Sequence, residues 1–299
     1  MLKSILSAAA LALSLSLGLG AAAGPAQAQE AVRFAVTDVK GLEQLQRDWQ
    51  PLRDKLEELT GLDIEFFPVS SRTAAVEALQ AERLEFVLTG PAEYVVMNKL
   101  TGAEPIVGFG RPDYFSGIVV LANSGISTVS ELKGKKVALG DIGSTSSHLA
   151  PSQLLADYGL DPARDIEVIH TSEPIQWESL KRGDVAAVGM NYMSDFIKLR
   201  EAESELPPGA FKVIARGPDL PNDVLMAAAH ADPDVVETMR AAFVEHSDAL
   251  TRAVVAPGGE NTKYEGMAFV PEVEDADYDY VRHAYAAIGY PEYGAFVGD

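Results

Sequence analysis

From residue 33 onward the chain alternates short apolar strand patterns with amphipathic helix patterns, and this alternation restricts it to an α/β fold with parallel strand pairs. Residues 33–37 alternate like a strand, and Leu42, Leu45, Trp49, Leu52, Leu56 and Leu59 follow with helical spacing. Residues 62–67 read as a second strand, 73–82 as a helix and 84–88 as a third strand, after which Thr89-Gly90-Pro91 opens a helix. The pattern then recurs with a different sequence. Strands are expected at 117–121, 137–139, 166–169, 185–189, 213–215 and 225–229. Helices are expected at 130–135, from the junction after the strand at 137–139 to Tyr158, and at 175–182, 233–254 and 278–288, with no short repeat and no low-complexity tract beyond the N-terminal segment.

The junction after the strand at 137–139 carries the most chemistry. It reads L-G-D-I-G-S-T-S-S-H-L-A-P over residues 139–151, placing Ser144, Thr145, Ser146 and Ser147 where a helix begins. The first N–H groups of a helix have no partner within it and carry the positive end of the peptide dipoles, so four hydroxyls there make a nest suited to a tetrahedral oxyanion. Serine and threonine also cap helices that hold no ligand, and both readings stand at this stage. No lysine follows in the manner of G-K-[ST], which removes support for nucleotide hydrolysis.

The N-terminus reads as an address. Lys3, an apolar stretch from Ile5 to about Ala23 and the small-x-small pattern Ala26-Gln27-Ala28 predict a signal peptide over 1–28, cleaved after Ala28, and hence a periplasmic or secreted protein. With 44 acidic against 24 basic residues and a formal charge of −20, the chain is unsuited to nucleic acid or to an anionic membrane surface. An anion must therefore be held by local donors, which screening over roughly 8 Å at physiological salt allows. There is no cysteine, so neither disulfides nor a lipid-tethered cysteine is available. His148, His170, His230, His246 and His283 are scattered singly, and no metal or other cofactor is expected.

Taken together, L-T-G-P-A-E-Y at 88–94, R-P-D-Y-F-S-G-I-V-V at 111–120, E-L-K-G-K-K-V-A-L-G at 131–140, G-S-T-S-S-H-L-A-P at 143–151, D-L-P-N-D-V-L at 219–225 and D-A-D-Y-D at 275–279 resemble the periplasmic phosphonate-binding protein family. Its members are the substrate-capturing components of phosphate, phosphite and phosphonate ABC importers. The resemblance implies an α/β, two-lobed type II periplasmic-binding-protein fold, with two parallel-dominated sheets joined by two hinge strands. Lobe I would comprise 29–116 and 222–299 and lobe II 117–221, with crossings near 114–117 and 220–223. A small phosphorus oxyanion would be clamped between the lobes of a monomer and presented to an inner-membrane permease.

By the same resemblance Ser144, Thr145 and Ser146 match the oxyanion-holding residues, Tyr114 a cleft-lining aromatic at the hinge and Asp223 a hinge acid that touches the ligand's other end. Tyr94 is a second-tier candidate whose alternative is a place in the core. Two departures stand out. Glu173, with Trp177 nearby, falls where a histidine is common, and Arg72 falls where an aromatic is common. Arg72 offers a bidentate contact to phosphonate oxygens, a solvated first-turn position, or a pair with Glu173. Glu173, Trp177, Tyr192 and Asp223 would line the end of the cleft away from phosphorus, and a carboxylate beside an aromatic suits a cationic tail, so an aminoalkyl phosphonate heads the candidate ligands.

Two other functions compete. A ligand-sensing subunit of a sensor kinase would use the same fold. A secreted hydrolase would need Ser144 or Ser146 joined to His148 or His170, but neither G-x-S-x-G nor H-E-x-x-H occurs. Arsenite-binding relatives use a cysteine, which this chain lacks.

Overall fold

Leu45, Trp49, Leu52 and Leu56 are the buried positions of α1 (Leu42–Thr60), and their spacing of three and four lays one face of the helix on β1 (Val32–Val36) and β2 (Ile64–Phe66). Gly61 ends that helix in the left-handed conformation, at φ 72°. This computed structural model describes residues 31–37 and 41–298; the expected signal segment and its cleavage site lie outside the described residues. Next come α2 (Arg72–Gln80), β3 (Phe86–Thr89), α3 (Pro91–Thr101) and β4 (Glu104–Phe109). The chain then enters a second sheet with β5 (Phe115–Leu121), β6 (Lys136–Leu139), α4 (Ala150–Asp157), β7 (Glu167–His170), α5 (Glu173–Arg182), β8 (Ala187–Asn191), α6 (Lys198–Ala202) and β9 (Phe211–Asp219). It returns with β10 (Asp223–Ala227), α7 (Pro233–Glu245), α8 (Ser247–Val255), β11 (Phe269–Val270) and α9 (Asp279–Ala287).

The strand order is β11-β4-β10-β3-β1-β2 in the first sheet and β7-β6-β8-β5-β9 in the second. Helices cover these sheets to give the two-lobed type II architecture. Both sheets are mixed rather than parallel-dominated. β1 pairs in parallel with β2 and β3, and β6 with β7 and β8, whereas β10 and β5 are antiparallel to both of their neighbours. The physical reason is the double crossing, since the strands the chain uses to enter a sheet from the other lobe run against the βαβ strands already there.

Other local differences have simple causes. The expected helix over 130–135 is a 3₁₀ turn, Val129–Leu132, closed by a capping box of Thr128 and Glu131. The expected helix over 233–254 breaks at His246, whose φ of −120° separates α7 from α8. β4 had no alternation to betray it, because its last four residues are all buried. Among the described residues no helix is long and apolar enough to cross a membrane.

The lobes share apolar contacts. Leu149, which follows the hydroxyl run in the second lobe, is fully buried in a cluster with Ala92, Tyr278, Val281 and Tyr285 of the first. At the crossing itself Tyr114, Ala150 and Leu220 pack together against Tyr280. This packing sets the hydroxyl run directly against the first lobe.

Candidate anion-binding cleft

Where β6 ends, Gly140 donates its N–H to Ser147 O at 2.7 Å, and a Cβ on Gly140 would lie 2.4 Å from that of Ser147. Only glycine lets the loop fold back so closely. Ser144 then caps the turn, its Oγ 3.4 Å from Ser147 N and 2.9 Å from Ser147 Oγ. Thr145–Leu149 is a π-turn that runs into α4. β8 repeats the device: Asn191 Oδ1 accepts from Ser194 N at 3.0 Å, and a second π-turn, Tyr192–Ile197, runs into α6. Because β6 and β8 are parallel neighbours, two helix N-termini stand side by side at the carboxyl edge of one sheet. π-turns are rare and concentrate at functional sites, and paired N-termini reinforce each other's attraction for an anion.

A third N-terminus, from the first lobe, meets the first of these turns. Ala92, in the first turn of α3, donates its N–H to Thr145 Oγ1 at 3.0 Å. Beside it the buried carboxylate of Glu93 pairs with Arg72, Nε to Oε1 at 2.6 Å, and Arg72 Nη1 reaches the loop at Gly143 in the second lobe. Arg72 is thus a bridge between lobes, partnered by Glu93 and not by Glu173. Under the nest, Ser116 Oγ donates to Ser146 O at 2.6 Å and fixes the turn to β5.

The hinge carries concentrated charge. Asp223, 2% exposed at the start of β10, accepts from Tyr264 Oη at 2.6 Å, with Lys263 Nζ at 3.5 Å and Arg111 Nη1 at 3.5 Å. The Arg111 guanidinium lies 3.8 Å from the centre of the Tyr114 ring, a cation–π contact. Burial pushes the Tyr114 hydroxyl up to about 12, held back by the Arg111 charge, so it remains protonated and near Ser146. Next to these residues a cavity of about 220 Å³ opens between the lobes, with Arg111, Tyr114, Asn191, Ser194, Lys198 and Lys263 in its wall.

The structure therefore brings together Ser144, Thr145, Ser146, Ser147, Tyr114, Asp223 and Arg72. Thr145, Ser146 and Ser147 are buried at the lobe contact. Tyr94 belongs to the core of the first lobe, where its hydroxyl donates to Asp275 at 2.9 Å and its ring lies 4.1 Å from that of Tyr278. Trp177 lies inside the second lobe, stacked on Phe211 at 4.0 Å, with its indole N–H donated to Glu203. Tyr192 stacks on Phe115 at 4.8 Å. Glu173, half-buried, opens α5, and burial together with the Glu173 charge pushes the neighbouring Asp195 up to about 6. None of Glu173, Trp177, Tyr192 and Asp223 lines the cavity. Arg111, Lys198 and Lys263 had not been singled out from sequence; Arg111 was visible in R-P-D-Y, while Lys263 sits in a 3₁₀ stretch without periodicity.

His148 and His170 are both held by the backbone of the nest loop. His148 Nδ1 accepts from Gly143 N at 3.0 Å and His170 Nδ1 donates to Gly140 O at 2.8 Å, so both rings brace the nest loop from beneath. Among the described residues neither imidazole hydrogen-bonds to a nest hydroxyl.

Two lobes with mixed sheets, joined by a double crossing and closing on a hydroxyl-lined helix N-terminus, define a type II periplasmic binding protein. The family model for the phosphonate ABC transporter's periplasmic substrate-binding protein matches residues 34–267, and the chain belongs to that family. It is 26% identical over 275 residues to the phosphate-import protein PhnD of Mycolicibacterium smegmatis, covering 85% of this chain and 84% of that one. Against the phosphonates-binding periplasmic protein of Escherichia coli it is 23% identical over 217 residues, 68% of this chain and 63% of the other. Its fold is also similar to the crystal structure of a binding protein component of an ABC phosphonate transporter from Pseudomonas aeruginosa. There the TM-score is 0.61 at 17% identity, with 86% of this chain and 85% of that chain covered. The chain is accordingly the substrate-binding component of a phosphonate-type ABC transporter, a class that works outside the cytoplasm with a membrane permease.

Proposed function

We propose that the protein captures a single phosphorus oxyanion, a phosphonate or a close relative, in the periplasm as a monomer and delivers it to its permease. The observation that carries this reading is the meeting of the nest with the first lobe at Ala92 and Thr145, which sets the first turn of α3 against the hydroxyl-rich turn. In this arrangement the first-turn N–H groups of Thr145 and Ser146 with the nest hydroxyls hold the phosphorus oxygens, Tyr114 donates from the hinge, and Arg72 and Arg111 supply fixed positive charge. The acidic surface imposes no barrier at that range, since donors a few ångströms away outweigh screened charges beyond a Debye length.

A transport role and not hydrolysis is favoured because, among the described residues, neither imidazole hydrogen-bonds to a nest hydroxyl, so no serine there is paired with a base. The site is complete within one chain, which suits a monomer. Calorimetry with phosphite, methylphosphonate, aminoethylphosphonate, phosphate, sulfate and arsenate tests the proposal, and small-angle scattering on saturation tests closure. Binding of at least one phosphorus oxyanion with compaction and no chemical change is expected. Failure of every phosphorus ligand, or turnover of one, overturns it.

A further inference from the structure

The cavity beside the nest is walled by donors. Arg111, Lys198 and Lys263 bring three cationic groups to it, and Asn191 and Ser194 come from the second π-turn. Two carboxylates, Asp113 and Glu265, also border it, but both are exposed at its mouth. Asp223 stands behind Arg111 and Lys263, outside the wall, with Oδ2 bound by Tyr264 and Oδ1 facing Arg111. Asp195, next along the chain from Ser194, accepts from Ser194 Oγ at 2.9 Å and is likewise absent from the wall. Trp177, the aromatic that would cover an ammonium group, is buried in the second lobe with its N–H donated to Glu203.

Resting on the reading of the nest as the phosphorus site, we propose that this cavity receives a second anionic oxygen group of the ligand, a carboxylate or another phosphoryl group, rather than an alkylammonium tail. Tyr114 divides the two subsites: its hydroxyl neighbours Ser146 on the nest side and its ring carries Arg111 on the cavity side. A ligand with anionic groups at both ends of a short linker spans this ring. Cationic groups that are already oriented by Asp223 and by the Tyr114 ring lose little freedom on binding such a group. At about 220 Å³ the cavity has room for a carboxylate on a two-carbon chain or for a phosphoryl group. An ammonium group placed against the inner wall would lie nearer Arg111, Lys198 and Lys263 than the two exposed carboxylates at the mouth, whose charges are screened by solvent.

The test is calorimetry on the mature chain with ethylphosphonate, 2-carboxyethylphosphonate, ethane-1,2-bisphosphonate and 2-aminoethylphosphonate. The carboxyethyl ligand, the bisphosphonate or both should bind at least tenfold more tightly than ethylphosphonate, and the aminoethyl ligand no more tightly than it. The carboxyethyl and bisphosphonate arms separate the two kinds of second group. Lys198→Met, at an exposed position, should cost the favoured dianionic ligand at least fivefold more affinity than it costs ethylphosphonate. If ethylphosphonate binds and neither dianionic ligand improves on it, or if the aminoethyl ligand binds most tightly, this inference alone is overturned. If none of the four binds, the phosphonate reading of the nest falls and takes the inference with it.

Discussion

The ring of His148 stands edge-on to that of His170, centroids 4.5 Å apart at 88°, beneath the loop that carries the nest. Burial, and then the neighbouring His170, pushes His148 down from 6.5 to about 4. Above pH 6.5 the group is neutral folded or unfolded and contributes no pH dependence. Between about 6.5 and 4 the unfolded chain binds a proton that the folded one refuses, so stability falls as pH falls and levels off below about 4, by up to roughly 3 kcal/mol. Urea melts at pH 4.5 and 7.5 should show a larger difference for the wild type than for His148→Asn, whose amide oxygen keeps an acceptor for Gly143 N. Equal differences in the two proteins would exclude His148 as the source.

Thr145→Val keeps the shape of the side chain and removes the acceptor for Ala92 N. A buried donor left without a partner costs about 1–3 kcal/mol, and the loss falls on the closed arrangement of the lobes. Affinity for the best phosphonate should drop roughly 5- to 150-fold in calorimetry, with a thermal midpoint moved by only a few degrees. Thr145→Ser, which restores the hydroxyl, should recover most of the affinity.

Asp223→Asn replaces a carboxylate that faces two cations at 3.5 Å. Removing one member of a buried ionic cluster costs on the order of 3–5 kcal/mol because the remaining charges stay desolvated. Thermal unfolding without ligand should show a midpoint lower by roughly 10 °C. A midpoint within a degree or two of wild type would mean that Asp223 does not organise the hinge.

Tyr94→Phe separates a core role from a ligand role. Loss of the hydrogen bond to Asp275 should lower stability by about 1 kcal/mol, as read in denaturant melts. Phosphonate affinity should stay within about twofold. A tenfold loss of affinity at unchanged stability would instead place the hydroxyl on the ligand.

Gly143 holds φ at +92°, and a Cβ there would lie 2.1 Å from Val297 O. Gly143→Ala must therefore shift backbone on both sides of the contact, and calorimetry should show weakened anion binding together with a loss of stability of a few kcal/mol. Full retention of both would contradict the packing of residue 297 against the nest loop.

Much of this arrangement could be read before any coordinates. Period marks α1 because one face packs and the other is solvated, and the hydroxyl run at Ser144–Ser147 is visible because its chemistry is contained in adjacent residues. Asp223 was also found, but its environment was not. Its partners Arg111, Lys263 and Tyr264 come from two distant segments that leave no periodic trace. Trp177 misled for a related reason. A tryptophan four residues after Glu173 lies one helical turn along, yet only the packing of Phe211 decides that it faces inward. The π-turns were hidden as well, because one extra residue in a helical turn has no sequence signature separate from an ordinary first turn.

The strand order also dictates a sequence of events in folding. β10 lies between β3 and β4, so the first sheet has a gap until the chain has passed through the whole of the second sheet and come back. The second sheet is drawn from the single segment Phe115–Asp219 and needs no later residue to complete it. The inner lobe of the sequence can therefore form as a local unit, while the outer lobe requires its most distant contacts last. A chain halted shortly after Asp219 would present a complete second sheet next to an open seam between β3 and β4, where a chaperone or an unrelated strand would find unsatisfied backbone to grip.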